Sequence, residues 1–183
     1  MRTKSTTLGV SLFTLLTLTV AAQTVQRGEP TAKSEERIVR EVRHELLMLP
    51  YYDVFDDIAF KVNGYEVTLL GQVVRPSLKS DAENVVKRIE GVEKVDNRIE
   101  ILPPSTMDDR LRLQLFRAIY RYAPLQKYEL GVQKPMRIIV KNGRVNLEGV
   151  VDNETDKNLA GVRANTVPGI LSVTNNLQVA EPK

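Results

Sequence analysis

The feature that most constrains this chain is a repeat at a fixed distance of 78 residues. Val62 falls on Val140, Val67 on Val145, Leu69 on Leu147, Gly71 on Gly149 and Val73 on Val151. The register then holds without a gap: Ala82 meets Ala160, Ile89 meets Val167, Gly91 meets Gly169, Val95 meets Val173 and Asn97 meets Asn175. Two glycines, an asparagine and the inward apolar positions in register mark a duplicated structural unit. Each copy is about 70 residues long, enough for one modest core.

Each unit opens with an amphipathic helix. Ser34 is placed to cap the first, with Glu35 and Glu36 at the positive end of its dipole, and Ile38, Val42, Leu46 and Leu49 form its apolar stripe before Pro50. Ser105 or Thr106 caps the second, followed by Asp108 and Asp109. Its stripe is Met107, Leu111, Leu115, Ala118, Ile119 and Tyr122. Hairpin strands follow near Ile58–Val62 and Val67–Val74, and again at Met136–Val140 and Val145–Val151. They alternate as strands with one buried face do. Asn142-Gly143 signals a type I′ turn that sets Val140 opposite Val145, and Gly64-Tyr65 keeps the same register as a type II′ turn.

Gly71 and Gly149 fall on the inward parity. A helix backbone passing close accounts for them, with a bulge as the alternative. A second helix covers about Ser80–Glu90 and Glu154–Thr166, with Gly91 and Gly169 as left-handed caps. A last strand, Val95–Leu102 or Val173–Val179, carries Asn97 or Asn175 as an amide that ties down a loop. Strand, helix, strand implies a right-handed parallel crossover. The fold class is α+β: two tandem αββαβ domains, each a three-stranded mixed sheet covered on one face by two helices.

The ends and the charge add organisation. Arg2 and Lys4, the apolar run Leu8–Val20 and the small residues to Ala22 read as a cleaved secretory signal over 1–22. The run is shorter than the roughly 20 residues of a membrane-spanning helix. A polar leader follows over 23–33, then domain 1 over 34–102, a stiff Pro-Pro linker over 103–106 and domain 2 over 107–180. From Ser34 to Leu102 there are 14 acidic against 10 basic residues; from Thr106 to Ala180 there are 7 against 11. The asymmetry suits different partners for the two halves, attraction between them, or drift on solvated surfaces.

The spaced set Val67-x-Leu69-x-Gly71-x-Val73 and Gly91-Val92-x-x-Val95-x-Asn97, repeated in the second half, resembles the BON domain (bacterial OsmY and nodulation). The resemblance covers nearly everything after residue 34. It implies the αββαβ fold, export to the cell envelope, and attachment to phospholipid membranes or envelope proteins. Two-domain members include periplasmic osmotic-stress proteins and a lipoprotein that binds anionic phospholipid through its second domain. This chain has no cysteine to carry a lipid anchor, which places it nearer the soluble kind.

Enzyme signatures are missing from the sequence. His44 is the only histidine, there is no cysteine, and Asp53, Asp56 and Asp57 lack the spacing of a calcium loop. No P-loop, GxSxG or nucleic-acid-clamping GXXG motif occurs. The expectation is therefore no catalytic residue, cofactor, metal, small-molecule substrate or nucleic acid. One surface stands out. Opposite the stripe of the second long helix lie Leu113, Phe116 and Tyr120, flanked by Arg110, Arg117 and Arg121, with Arg112 near the other edge. Such an aromatic stripe edged by guanidinium groups suits an anionic membrane surface. Packing on domain 1 through Leu47 or Tyr51, or on a second subunit, is the competing reading. The corresponding function class is a periplasmic stress or chaperone-like protein that binds other proteins without lipid.

Overall fold

A computed structural model describes residues 32–130 and 134–181. The signal segment and most of the leader lie outside the described residues. The first helix, α1 (Ala32–Leu47), already begins at Ala32, so Ser34 sits inside it rather than at its cap, and the leader gives way two residues earlier than its composition suggests. The predicted stripe holds: Ile38, Val42, Leu46 and Leu49 are all buried. Strands β1 (Asp57–Asn63) and β2 (Glu66–Val73) pair antiparallel, with Val62 opposite Val67. Helix α2 (Pro76–Lys87) then returns the chain to β3 (Lys94–Asn97), which lies parallel to β2.

The second unit repeats this order. Helix α3 (Thr106–Tyr120) starts where Ser105 Oγ accepts the Asp108 amide at 3.2 Å. A short 3-10 segment (Ala123–Tyr128) follows, then β5 (Met136–Lys141), β6 (Arg144–Val151), α4 (Glu154–Asn165) and β7 (Ser172–Asn175). Val140 faces Val145 across a turn in which Asn142 and Gly143 both have positive φ, 52° and 73°. That is the backbone a type I′ turn requires.

Three local expectations change. The last strand of each unit is broken: β3 is followed by β4 (Glu100–Ile101), and β7 by β8 (Gln178–Val179), both still parallel to the central strand. The break is where Asn97 and Asn175 act. Asn97 Nδ2 donates to Lys79 O at 2.8 Å while its Oδ1 accepts from Ile99 N at 3.2 Å. Asn175 does the same with Lys157 O at 2.7 Å and Leu177 N at 3.3 Å. Each amide thus ties strand to helix, and Ile99 or Leu177 turns into the core. Gly91 and Gly169 have the positive φ anticipated (90° and 89°), but the helices stop at Lys87 and Asn165, so both glycines lie in the turn beyond the cap.

Neither a helix backbone nor a bulge explains Gly71 and Gly149. Pairing runs through both without an inserted residue, at φ of 112° and 110°. A Cβ there would meet the neighbouring strand's carbonyl, 2.1 Å from Asp57 O and 2.0 Å from Pro135 O. Among the described residues no helix is long and apolar enough to cross a membrane.

Candidate functional site

Helix α3 is the element on which the sequence concentrates basic and apolar residues together. Its inward face is set by the 3.6-residue period: Leu111, Leu115 and Ile119 are buried over the β5–β6 hairpin. Met107, expected on that face, is instead 57% exposed at the first turn. The buried arc is wider than a helix on a sheet alone produces, because a second body covers one flank. That body is the segment 51–56 of domain 1, which packs through Val54 and Phe55.

This wider burial removes two residues from the surface expected of them. Tyr120 is fully buried, and its hydroxyl donates to Met136 O at 2.6 Å. Burial pushes its phenol far above the ordinary value, so the hydroxyl stays a donor. Arg112 is 3% exposed; Nη2 donates to Val140 O at 2.7 Å and Nη1 to Asp109 Oδ1 at 2.6 Å. Its Nε has no acceptor among the described residues. Both side chains close the outer edge of β5 instead of facing a partner.

Phe116 is half-buried. It stacks on Tyr120 at a ring-centroid distance of 5.0 Å and meets Phe55 edge-on at 6.4 Å. The aromatic stripe is therefore largely a domain seam, made through Val54 and Phe55; Leu47 and Tyr51 remain 37% and 69% exposed. Val54 is 2% exposed within domain 2's core, and its carbonyl accepts from Ile138 N at 2.8 Å. Arg137 reaches Asp53 O at 3.1 Å and lies over the Tyr52 ring at 4.4 Å. Lys141 pairs with Glu100 at 2.5 Å. A cleft of about 430 Å³ follows the seam, with Tyr51, Phe55, Arg75 and Leu113 among its walls.

What stays in solvent is a basic ridge. Arg110, Arg117 and Arg121 are exposed in one row along α3, with Leu113 beside them at 52% exposure. Among the described residues, none of the three arginines forms an ion pair. The counterparts on α1, 73 residues earlier, are Arg37, His44 and Met48. Arg37 is already bound to Glu41 at 3.0 Å and to Glu90 O at 2.9 Å, and His44 is exposed. The two helices share a fold position, but the row at 110, 117 and 121 is all arginine only on α3; α1 has its own exposed arginines, Arg40 and Arg43, at other positions.

Two seam contributors escaped the sequence reading. Arg137 and Ile139 point to the opposite face of β5 from its core residues and are buried, at 8% and 2% exposure. A signal was present: Ile138-Ile139-Val140 is a continuous apolar run, the mark of a strand covered on both faces.

The molecule is thus an α+β unit repeated twice, joined by a shared seam and carrying a solvent-facing cationic helix. The sequence model of the BON domain family matches residues 34–103 and 128–181. The chain belongs to the BON domain family, in two tandem copies, a family associated with envelope and membrane binding. No curated protein matches the sequence. Solved structures that match include CdsD, a structural protein of the type III secretion system of Chlamydia trachomatis, at 14% identity over 79% of this chain and 94% of that one, with a TM-score of 0.28. The C-terminal domain of the same protein matches at 13% identity over 79% and 98% of the two chains, also at 0.28. Scores this low carry nothing over to this chain.

Proposed function

We propose that this is an exported, non-enzymatic envelope protein whose second domain docks on an anionic phospholipid surface through Arg110, Arg117 and Arg121. The observation that carries the reading is the row of three exposed guanidinium groups on α3 that form no ion pair among the described residues, whereas at the matching domain 1 positions the one arginine, Arg37, is paired with Glu41. Attachment is peripheral. Tyr120 and most of Phe116 are committed to the seam, so Leu113 is the apolar side chain left beside the ridge. Each basic group close to an anionic leaflet contributes about 1 kcal/mol, so three give roughly 3 kcal/mol, screened as salt shortens the Debye length.

Vesicle flotation tests this directly. The parent protein should float with phosphatidylglycerol vesicles at low salt, much less at about 0.5 M salt, and not with phosphatidylcholine alone. Replacing all three arginines with Gln should reduce flotation by about two orders of magnitude in affinity. A triple variant that floats like the parent would remove the ridge from the function, and salt-insensitive binding to neutral vesicles would remove electrostatics.

A further inference from the structure

The duplication lets one sheet edge be read against the other. In domain 2 the outer edge of β5 is closed: Met136 O accepts from Tyr120, Ile138 N donates to Val54 O, and Val140 O accepts from Arg112. The three side chains on that parity, Met136, Ile138 and Val140, are at most 1% exposed. The residues 78 positions earlier are Ile58, Phe60 and Val62 on β1. There, Ile58 N donates to Tyr52 Oη at a long 3.3 Å, while the outward backbone groups of Phe60 and Val62 have no partner among the described residues. The three side chains are only partly buried. The cause is in the helix: at the positions of Tyr120 and Arg112, 73 residues earlier, α1 has Leu47 and Val39, whose hydrocarbon side chains carry no polar donor. One copy of the fold closes its edge strand and the other leaves it open.

We propose that β1 is a self-association edge, pairing antiparallel with β1 of a second copy of this chain. One register satisfies both faces. With Ala59 facing Ala59 across the two-fold axis, Asp57 lies opposite Lys61 of the second copy and Ile58 opposite Phe60, each twice by symmetry. Ile58 and Phe60 carry the outward groups, so facing one another they exchange N–H···O bonds, and Ile58 N gives up its long bond to Tyr52. Ala59, Lys61 and Asp57 share the other face, where small residues meet at the axis and opposite charges meet beside it. A lysine on an edge strand ordinarily discourages pairing; opposite Asp57 it becomes a partner. Slipping the register so that Phe60 faces Val62 sets Lys61 against Lys61, which disfavours that alternative. Burial and the nearby Glu148 raise the Asp57 carboxyl despite Arg137, which is the condition a further cation relieves. The pairing joins two mixed sheets into one.

Sedimentation equilibrium of the whole mature chain between about 10 µM and 1 mM tests this, since a single short strand pair makes a weak interface. A monomer–dimer equilibrium is expected. Lys61→Asp should weaken it about tenfold, because two contacts change sign at once, and Asp57→Lys combined with Lys61→Asp should restore it. Phe60→Pro removes an outward N–H from an edge strand, where proline is tolerated, and should abolish the dimer; circular dichroism melting confirms that each variant is folded. A chain that stays monomeric at 1 mM overturns the proposal. So does a dimer indifferent to Lys61→Asp, or one that the double exchange fails to restore.

Discussion

Val54 belongs to domain 1 by sequence and to domain 2 by packing, and a single substitution can separate the two. Its side chain is 2% exposed in the cluster that holds Tyr120, Leu125, Met136 and Ile138. Its amide is held by Asp53 Oδ1 at 2.7 Å and its carbonyl by Ile138 N at 2.8 Å. Val54→Ala keeps those backbone bonds and deletes two buried carbons. At about 0.8 kcal/mol per buried methylene the transfer loss is roughly 1.6 kcal/mol. The cavity left behind brings the cost to about 2–3 kcal/mol. A domain this small has a total stability near the lower end of about 5–15 kcal/mol, so the loss is large. It should fall on domain 2. In native-state hydrogen exchange, amides of Ile139 and Leu147 should lose protection by about 30- to 150-fold, while those of Val67 and Leu69 in the other core change little. Equal losses in both domains would show one cooperative unit, and a larger loss in domain 1 would place Val54 in its own domain's core; either result refutes the reasoning.

Other consequences can be measured on the same protein. Phe116→Ala should cost about 2 kcal/mol in urea unfolding, less than the 3–5 kcal/mol of a fully buried ring but far more than an exposed one. Gly149→Ala should destabilise by more than about 1 kcal/mol, because φ is 110° and the new Cβ would overlap Pro135 O; loss of the hairpin register by NMR is the accompanying sign. The Lys141 ammonium, and then Gln72, holds the Glu100 carboxyl below its ordinary value. Its folded pKa is depressed, so its contribution is complete above pH 4.5 and is lost as the pH falls through the depressed value. Both partners are 42% exposed, which keeps that contribution under about 1 kcal/mol. Glu100→Gln should therefore lower the melting temperature slightly near neutral pH and not at all in acid.

Most of the fold was legible because the chain states it twice. The helical stripes of α1 and α3, both turn registers and the two asparagine ties follow from period, turn chemistry and repetition. Helix α1 outran its apparent cap because Ala32 and Lys33 are themselves good helix formers and nothing in the sequence stops the turn before Ser34. The α3 surface was only half legible. A wheel built on one helix over one sheet assumes a single buried side, and Phe116, Tyr120 and Arg112 violate that assumption because Val54 and Phe55 arrive from the other domain. Arg112 was the hardest to place, since a guanidinium that hydrogen-bonds a strand carbonyl has no helical or strand period to announce it.

The differences between the two copies cluster where the copies touch. Between α1 and α3 the offset is 73 residues, and between the hairpins it is 78, so five residues were added between helix and hairpin in the second copy. That stretch carries Tyr128, whose hydroxyl accepts the Asp152 amide at 2.7 Å; in domain 1 the matching Val74 amide is taken by the Asp56 carboxylate at the same 2.7 Å. A buried carboxylate and a phenol thus do one job by different chemistry, and burial raises the pKa of both, that of Tyr128 to about 12. Domain 2 makes this contact from the added stretch, and domain 1 makes it from residue 56, at the end of the segment whose Val54 and Phe55 cap its neighbour. The charge asymmetry divides along the same line. Arg137 and Lys141 spend their charge on Asp53 O and Glu100 at the seam, which is attraction between halves. Arg110, Arg117 and Arg121 form no ion pair among the described residues, so the seam accounts for only part of the asymmetry and the α3 row for another part.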